Sequence, residues 1–359
     1  MSFNYAEKST PFVLSPSSLD EHLARGWYRM GSSIFTTHFL FFNKRPFSAV
    51  WIRLDLNTFR FSKRQRKLLR RNAVLFEVAH GPRQIDAERE ELYTVYAEDF
   101  DGRLSPSIAD SLEDYGEFTV FDTQEVTVRE KLTGKLVANS YYDVGEDSAA
   151  SILGIYQPVM KSFSLGYYTM LLEIEDCLRR GFRYYYPGYV VPGYQRFDYK
   201  LRLGVSEYYD LHAGDWKPFA EAEIEQQGPT EIQKLKLGEV LDRFAAQDIT
   251  RHLIIYPLFE AELYDAWNDS YFPYPYLIYL GNTVDKEPIV LSFDPKSRCY
   301  VITHCTHLVQ TQSIYNASYL SQFSGSEFYV QLLTARSILY RSTSVEDLMT
   351  VILRGLRKT

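Results

Sequence analysis

The sequence predicts an α+β fold, a curved mixed sheet with helices packed on it, and three observations carry that reading. Between residues 118 and 191, strand-like runs, one long amphipathic helix and a further strand follow in order, an order that packs a helix onto a sheet. The segment SAVWIRLDLNTF (48–59) places Val50, Ile52, Leu54 and Leu56 on one face, the period-two pattern of a strand. Beyond residue 216 the mixture starts again with a helix-like run and several apolar strands. Three regions are therefore expected: 1–86, an N-terminal α/β part with a basic helix; 87–215, the sheet-and-helix core; and 216–359, an additional α+β part.

Composition bounds the answer. At 359 residues, 45% apolar and 24% charged, the chain has ample material for a core and none of the marks of disorder. Cys177, Cys299 and Cys305 are the three cysteines, too few for a disulfide framework and without CxxC spacing, so no metal and no cofactor is expected. MSFNYAEKSTPF lacks a basic stretch followed by an apolar run, and no run of about 18 apolar residues occurs, so neither a signal peptide nor a membrane span is expected and the location reads as cytoplasmic.

Taken in order, the strand at 48–59 is followed by RFSKRQRKLLRRN (60–72), where seven of thirteen residues are basic and none is acidic. The whole chain carries −7, so everything outside this segment sums to −14. Ser62 and Gln65 have the spacing of a capping box, predicting a helix from Lys63, with Asn72 as its terminator and AVLFEVA (73–79) as a strand. On that helix Arg64, Lys67 and Arg71 share one face, Lys63, Arg66 and Arg70 an adjoining one, and Leu68 and Leu69 anchor the rest. Residues 87–100 read as a helix through Leu92, Val95, Tyr96 and Phe100. FTVFDTQEVTVRE and KLVANSYYDV flank LTGK as a hairpin, and SAASILGIYQP gives a third strand. The run 162–181 is the clearest helix, with Gly181 as its C-cap, and FRYYYPGYVV resumes extended structure. EIQKLKLGEVLDRFAAQ reads as a helix, RHLIIYPLF, YPYLIYLG, PIVLSFD and RCYVITHCTHLV as strands, and 326–355 as one or two closing helices.

Two blocks carry a family resemblance. RGWYRMGSSIF, VWIRLDLNTF and FSKRQRKLLRRN form the first; VANSYYDVGEDSAASILGIYQP, SLGYYTMLLEIEDCLRRGFRYYYPGYVV and FDYKLRLGVSE form the second. In order and spacing they resemble the arginyl- and leucyl-tRNA–protein transferases of the N-degron pathway, covering about a third of the chain. Two departures stand out. TTHFLFFNKRPFSAV has no cysteine where family members carry a cluster, and Gln157 stands where they have an aspartate before proline. The resemblance implies an acetyltransferase-like (GNAT-like) core and an aminoacyltransferase that moves Arg, or Leu, from charged tRNA to the N-terminal α-amine of an acceptor protein or peptide. A small-molecule acceptor, or a catalytically silent binding module of the same fold, are the other readings.

Such a reaction starts from an activated ester and needs positioning, a proton acceptor and oxyanion donors. Asp143, Tyr199 and Lys200 are the expected acid–base or carbonyl-polarising groups. The six cations Lys63, Arg64, Arg66, Lys67, Arg70 and Arg71 are expected on tRNA phosphates. Arg29, Arg53 and Arg202 are expected to offer an acidic acceptor side chain a guanidinium fork. The helix start at Ser164 and Gly166 offers unpaired amides, and Gln157 and Tyr189 complete the expected substrate contacts, the latter as a stacking surface.

Overall fold

The alternation of residues 50–55 puts them at the middle of a large sheet rather than in a domain of their own. The computed structural model describes residues 5–100, 102, 104–113, 119–264, 271–307 and 333–356. The chain opens with β1 (Ala6–Ser9), α1 (Pro16–Ala24), β2 (Tyr28–Met30), β3 (Ser33–Thr37), β4 (Phe39–Phe42), β5 (Arg45–Ser48) and β6 (Val50–Asp55). α2 (Lys63–Leu75) runs directly into β7 (Phe76–Pro82), followed by α3 (Ala87–Asp99) and α4 (Ile108–Glu113). Then come β8 (Thr123–Glu130), β9 (Leu136–Val144), β10 (Ser148–Tyr156), α5 (Leu165–Arg180), β11 (Tyr184–Val190), β12 (Ser206–Asp210) and β13 (Asp215–Pro218). α6 (Glu221–Gln227), α7 (Pro229–Ala245), β14 (Leu253–Ile255), β15 (Tyr276–Asn282), β16 (Pro288–Asp294), β17 (Cys299–His307), β18 (Leu333–Ser342) and α8 (Val345–Leu356) complete the described elements.

Eight strands form one sheet in the order β13-β12-β6-β11-β10-β9-β8-β7. Its pairs are antiparallel except β10 with β11. The sheet takes strands from both sides of residue 86, and Leu54, Phe59 and Phe76 share one core with Val126, Ala138, Tyr142 and Leu171. β9 is buried along its whole length because α5 covers one face and α3 the other. Tyr142 belongs to the core under α5, and Tyr141, one residue earlier and so on the opposite face, to the core with Leu92 and Ile108. α5 is stopped by Gly181, whose φ of 79° lets its N–H reach back to Cys177 and Leu178 carbonyls.

A second, five-stranded sheet, β14-β15-β16-β17-β18, is covered by α7 and α8. The sheet and its helix α7 are tied to the rest of the chain through Tyr5 Oη on Asp294, Ser48 Oγ on Glu231, and His212 against the Lys296 carbonyl.

Three readings change. Asn72 does not end its helix, which continues to Leu75; the Asn72 side chain is buried and donates to the Phe163 carbonyl at 2.9 Å. The strand expected from residue 73 starts at Phe76. Of the closing segment, 326–332 lies outside the described residues, 333–342 is an edge strand, and only 345–356 is helical. An isoleucine-centred TARSILYRS run pairs along β17, so tertiary pairing decides against the helical reading.

Candidate functional site

Two central strands part, and the side chains that gather there define the candidate site. β10 and β11 pair only over Ser148–Ala150 and Tyr184–Tyr186. Immediately beyond, both lose register with their outer neighbours, β10 between Ser151 and Leu153 and β11 between Tyr185 and Gly188. Bulges of this kind re-aim backbone groups and side chains. Pro187 and Gly188 supply the irregularity in β11: proline brings no N–H, and Gly188 takes φ of 97°, open to glycine and strained for other residues.

Lys200 enters at this notch from the tight turn Gln195–Arg202. Its Nζ donates to the Tyr189 carbonyl at 3.0 Å and lies 5.3 and 5.2 Å from the ring centroids of Tyr189 and Phe197. A Cβ on Gly188 would come within 3.0 Å of that nitrogen and 3.9 Å of the Tyr28 hydroxyl. No carboxylate among the described residues pairs with Lys200, and burial alone pushes its ammonium down to about 7. An amine tuned there can exchange a proton with another amine near neutral pH. The neighbouring Tyr199 is packed against the α5 core, and burial raises its hydroxyl to about 12.

Around the end of β10 an aromatic group collects. Tyr96 lies 5.2 Å from Tyr156 and 5.6 Å from Phe100, and the Arg196 guanidinium lies 4.0 Å over Phe100. Gly166 packs there; a Cβ would meet the Tyr156 ring at 3.0 Å. Ser164 is exposed, with φ of 52° and no side-chain cap, so the first amides of α5 have no intrahelical acceptor and no serine cap. Gln157 is half-buried, its backbone N–H on the Val137 carbonyl at 2.9 Å.

The basic helix docks beside this end. The capping box is formed: the Ser62 hydroxyl accepts from Gln65 N at 3.3 Å and the Gln65 amide oxygen accepts from Ser62 N at 2.7 Å. Gln65 Nε2 also donates to Tyr167 Oη at 2.9 Å and the Leu203 carbonyl at 2.8 Å, and Arg71 to the Ser162 carbonyl at 3.1 Å. Gln65, Leu68, Leu69 and Asn72 thus face inward, while Lys63, Arg64, Arg66, Lys67, Arg70 and Arg71 are all exposed. None of the six forms an ion pair with a described residue.

Other expected site residues are placed differently. Asp143 and Arg29 are spent on each other: Arg29 Nη1 meets Asp143 Oδ1 at 2.8 Å, both side chains are buried, and Arg29 also holds Thr123 and the Leu112 carbonyl. Burial pulls Arg29 down and Asp143 up from their ordinary ranges, each opposed by the partner's charge. Asp143 is therefore no substrate-facing acid or base, and Arg29 no fork for an acceptor. Arg53 is likewise engaged, with Glu207 at 2.7 Å and the rings of Tyr184 and Trp216 at 3.9 and 4.5 Å. Arg202 stays exposed beside the Tyr167 ring, and Tyr189 lies half-buried between Trp51 and Phe197. Tyr28, Gly188, Tyr96, Tyr156 and Arg196 were not singled out from sequence; only Pro187-Gly188, a breaker pair inside a strand run, carried a readable signal.

Among the described residues no three His, Cys, Asp or Glu side chains are grouped to hold a metal. A shallow cavity lined by His38, Tyr208, Asp210, His212 and Arg298 lies elsewhere and includes none of the candidate residues.

Residues 88–210 match the family described as "Arginine-tRNA-protein transferase, C terminus". An aspartate/glutamate leucyltransferase of Chromobacterium violaceum is 30% identical over 173 residues, 47% of this chain and 69% of that one. One of Alcanivorax borkumensis is 29% identical over 222 residues, 60% of this chain and 88% of that one. The chain belongs to the aminoacyl-tRNA–protein transferase family. Among solved structures, FemX overlaps with a TM-score of 0.33 at 12% identity, covering 54% of this chain and 65% of that one. L-PGS from Bacillus licheniformis overlaps with 0.31 at 14%, covering 48% and 49%.

Proposed function

We propose that this enzyme transfers leucine from charged tRNA to the α-amine of proteins that begin with Asp or Glu. The named relatives support the donor and acceptor, and the observation that carries the chemistry is Lys200, half-buried without a carboxylate beside the parted strands. Neutral Lys200 takes a proton from the acceptor's α-ammonium, whose ordinary pKa is about 8. The freed amine attacks the ester carbonyl, a C–N bond forms, the C–O bond to the terminal ribose breaks, and the ribose oxygen leaves as a hydroxyl with a proton. The ribose oxygen takes the nitrogen's second proton, and cationic Lys200 releases the first to solvent, which closes the balance without a cofactor.

The exposed cations of α2 hold acceptor-stem phosphates without reading sequence, and the uncapped start of α5 at Ser164 takes a phosphate or the oxyanion. Tyr189 and Gln157 contact the aminoacyl end. Arg202 and Arg196 meet the acceptor's carboxylate. Residues 5–218 are the transferring unit, and the second sheet is an attached module. No described helix is long and apolar enough to cross a membrane; the supply of charged tRNA places the reaction in the cytoplasm.

The test is transfer by the full chain from labelled Leu-tRNA and Arg-tRNA to peptides beginning with Asp, Glu, Lys or Arg. Leucine appearing on the Asp and Glu peptides is the expected result. Arginine in its place corrects the donor, and no transfer to any peptide overturns the reading.

A further inference from the structure

The Tyr28 hydroxyl sits against two backbone carbonyl oxygens, Ser151 on β10 and Tyr186 on β11, the latter at 2.8 Å. Tyr186 is the last paired position of β11, and Ser151 is the first residue past the last paired position of β10. The hydroxyl thus reaches both strands where their pairing ends and the bulges begin, and buried carbonyls demand a donor. Tyr28 is buried, and its ring is held from behind by stacking on Trp51 at 5.1 Å, 28° from parallel; Trp51 in turn donates to the Thr37 carbonyl at 2.9 Å. The same hydroxyl lies within 3.9 Å of the point that a Gly188 Cβ would occupy, next to the Lys200 ammonium.

We propose that Tyr28 is a positioning residue: a wedge from outside residues 88–210 that fixes the width of the β10–β11 gap and thereby keeps Lys200 seated and shielded from water. This inference rests on the proposed function for its kinetic consequence, though not for its structural one. Without the hydroxyl, two carbonyls lose their donor and draw water into the gap, and a hydrated ammonium returns toward the ordinary lysine range. The titratable and charged groups around the gap are the hydroxyls of Tyr28, Tyr185, Tyr189 and Tyr199, Arg196, the ion pair of Asp143 with Arg29, and two further buried carboxyls. Glu173 on α5 accepts from Tyr185 Oη at 2.7 Å and is pushed up to about 7 by burial; Glu260, in the turn 257–264, is pushed up to about 8 by burial. Neither is ion-paired with Lys200, so the seating of the amine depends on exclusion of water rather than on a counter-ion.

The experiment uses Tyr28→Phe, which keeps the ring on Trp51 and removes only the oxygen. Lys200 is followed by amine acetylation at graded pH with peptide mass spectrometry, alongside transfer kinetics. The labelling midpoint of Lys200 is expected to move upward by a unit or more from its position near 7. In transfer assays kcat is expected to fall roughly 10- to 100-fold, the cost of a misplacement of about 1 Å, with KM for charged tRNA within about twofold. A Lys200 labelling curve that coincides with that of the unmodified chain overturns the proposal, whatever the kinetics. If the unmodified chain transfers nothing, the functional reading falls by itself, and the labelling curve still decides the role of Tyr28.

Discussion

Arg29, buried on β2, and Lys200, half-buried in the turn 195–202, are two cations packed against the eight-stranded sheet, and they have opposite fates. Arg29 faces Asp143 at 2.8 Å and adds three further acceptors; the charge is matched, and the pair is part of the framework. Lys200 has one carbonyl and two aromatic faces, and its charge is unmatched. Burial with a partner fixes a protonation state, while burial without one moves the pKa toward the working pH. One charge is thus matched by its surroundings, while the other is left with an ammonium lowered to about 7.

The largest effect is expected at the matched pair. Asp143→Ala leaves a buried guanidinium alone, which costs about 3–5 kcal/mol; denaturant unfolding should show a large drop in midpoint. A variant as stable as the parent would mean that Arg29 finds another partner and that the contrast with Lys200 is not one of pairing.

Next is Lys200→Met. Losing a general base costs roughly 10²- to 10⁴-fold in rate, and the variant should keep or gain stability. The sign follows from the protons bound. With the folded pKa near 7 and the ordinary value at 10.5, the unfolded chain holds the extra proton between those limits, so stability rises with pH across that window. The penalty is full below about 7, and Met removes it. In the parent, the transfer rate should climb with pH through about 7 and level off; a flat profile across pH 6–8 would remove Lys200 from the proton transfer. Lys200→Arg should not rescue, because a guanidinium stays protonated.

The smallest effect belongs to cations that are neither buried nor paired. Lys67→Ala with Arg71→Ala should weaken tRNA binding about tenfold and reduce the slope of log affinity against log salt by roughly 1–2, as each phosphate contact contributes about 0.7–0.9. Unchanged affinity and slope would give the exposed face of α2 another purpose.

The elements most legible in sequence were those specified locally. Ser62–Gln65 gave the start of α2, Gly181 the end of α5, and the alternation of Val50 to Leu54 the strand β6. What could not be read depends on partners distant in sequence. Asn72 resembles a helix stop until Phe163, 91 positions away, supplies the carbonyl it binds. Asp143 resembles a free carboxylate until Arg29, 114 positions away, is brought against it. Lys200 was named from its Tyr-Lys neighbourhood, but its lack of a counter-ion is a property of the folded surroundings that no local pattern encodes. Tyr28 carried no signal, because an aromatic in a short strand is ordinarily core.

The central place of β6 also sets an order on synthesis. Its partners β11 and β12 lie about 130–150 positions further along the chain, so at about 5–20 residues per second β6 waits roughly 6–30 s for them. During that interval RFSKRQRKLLRRN is already outside the ribosome, before Leu203 exists to receive Gln65. Until then the basic segment stays undocked and β6 unpaired, so the docking of α2 is a late event in the making of this chain.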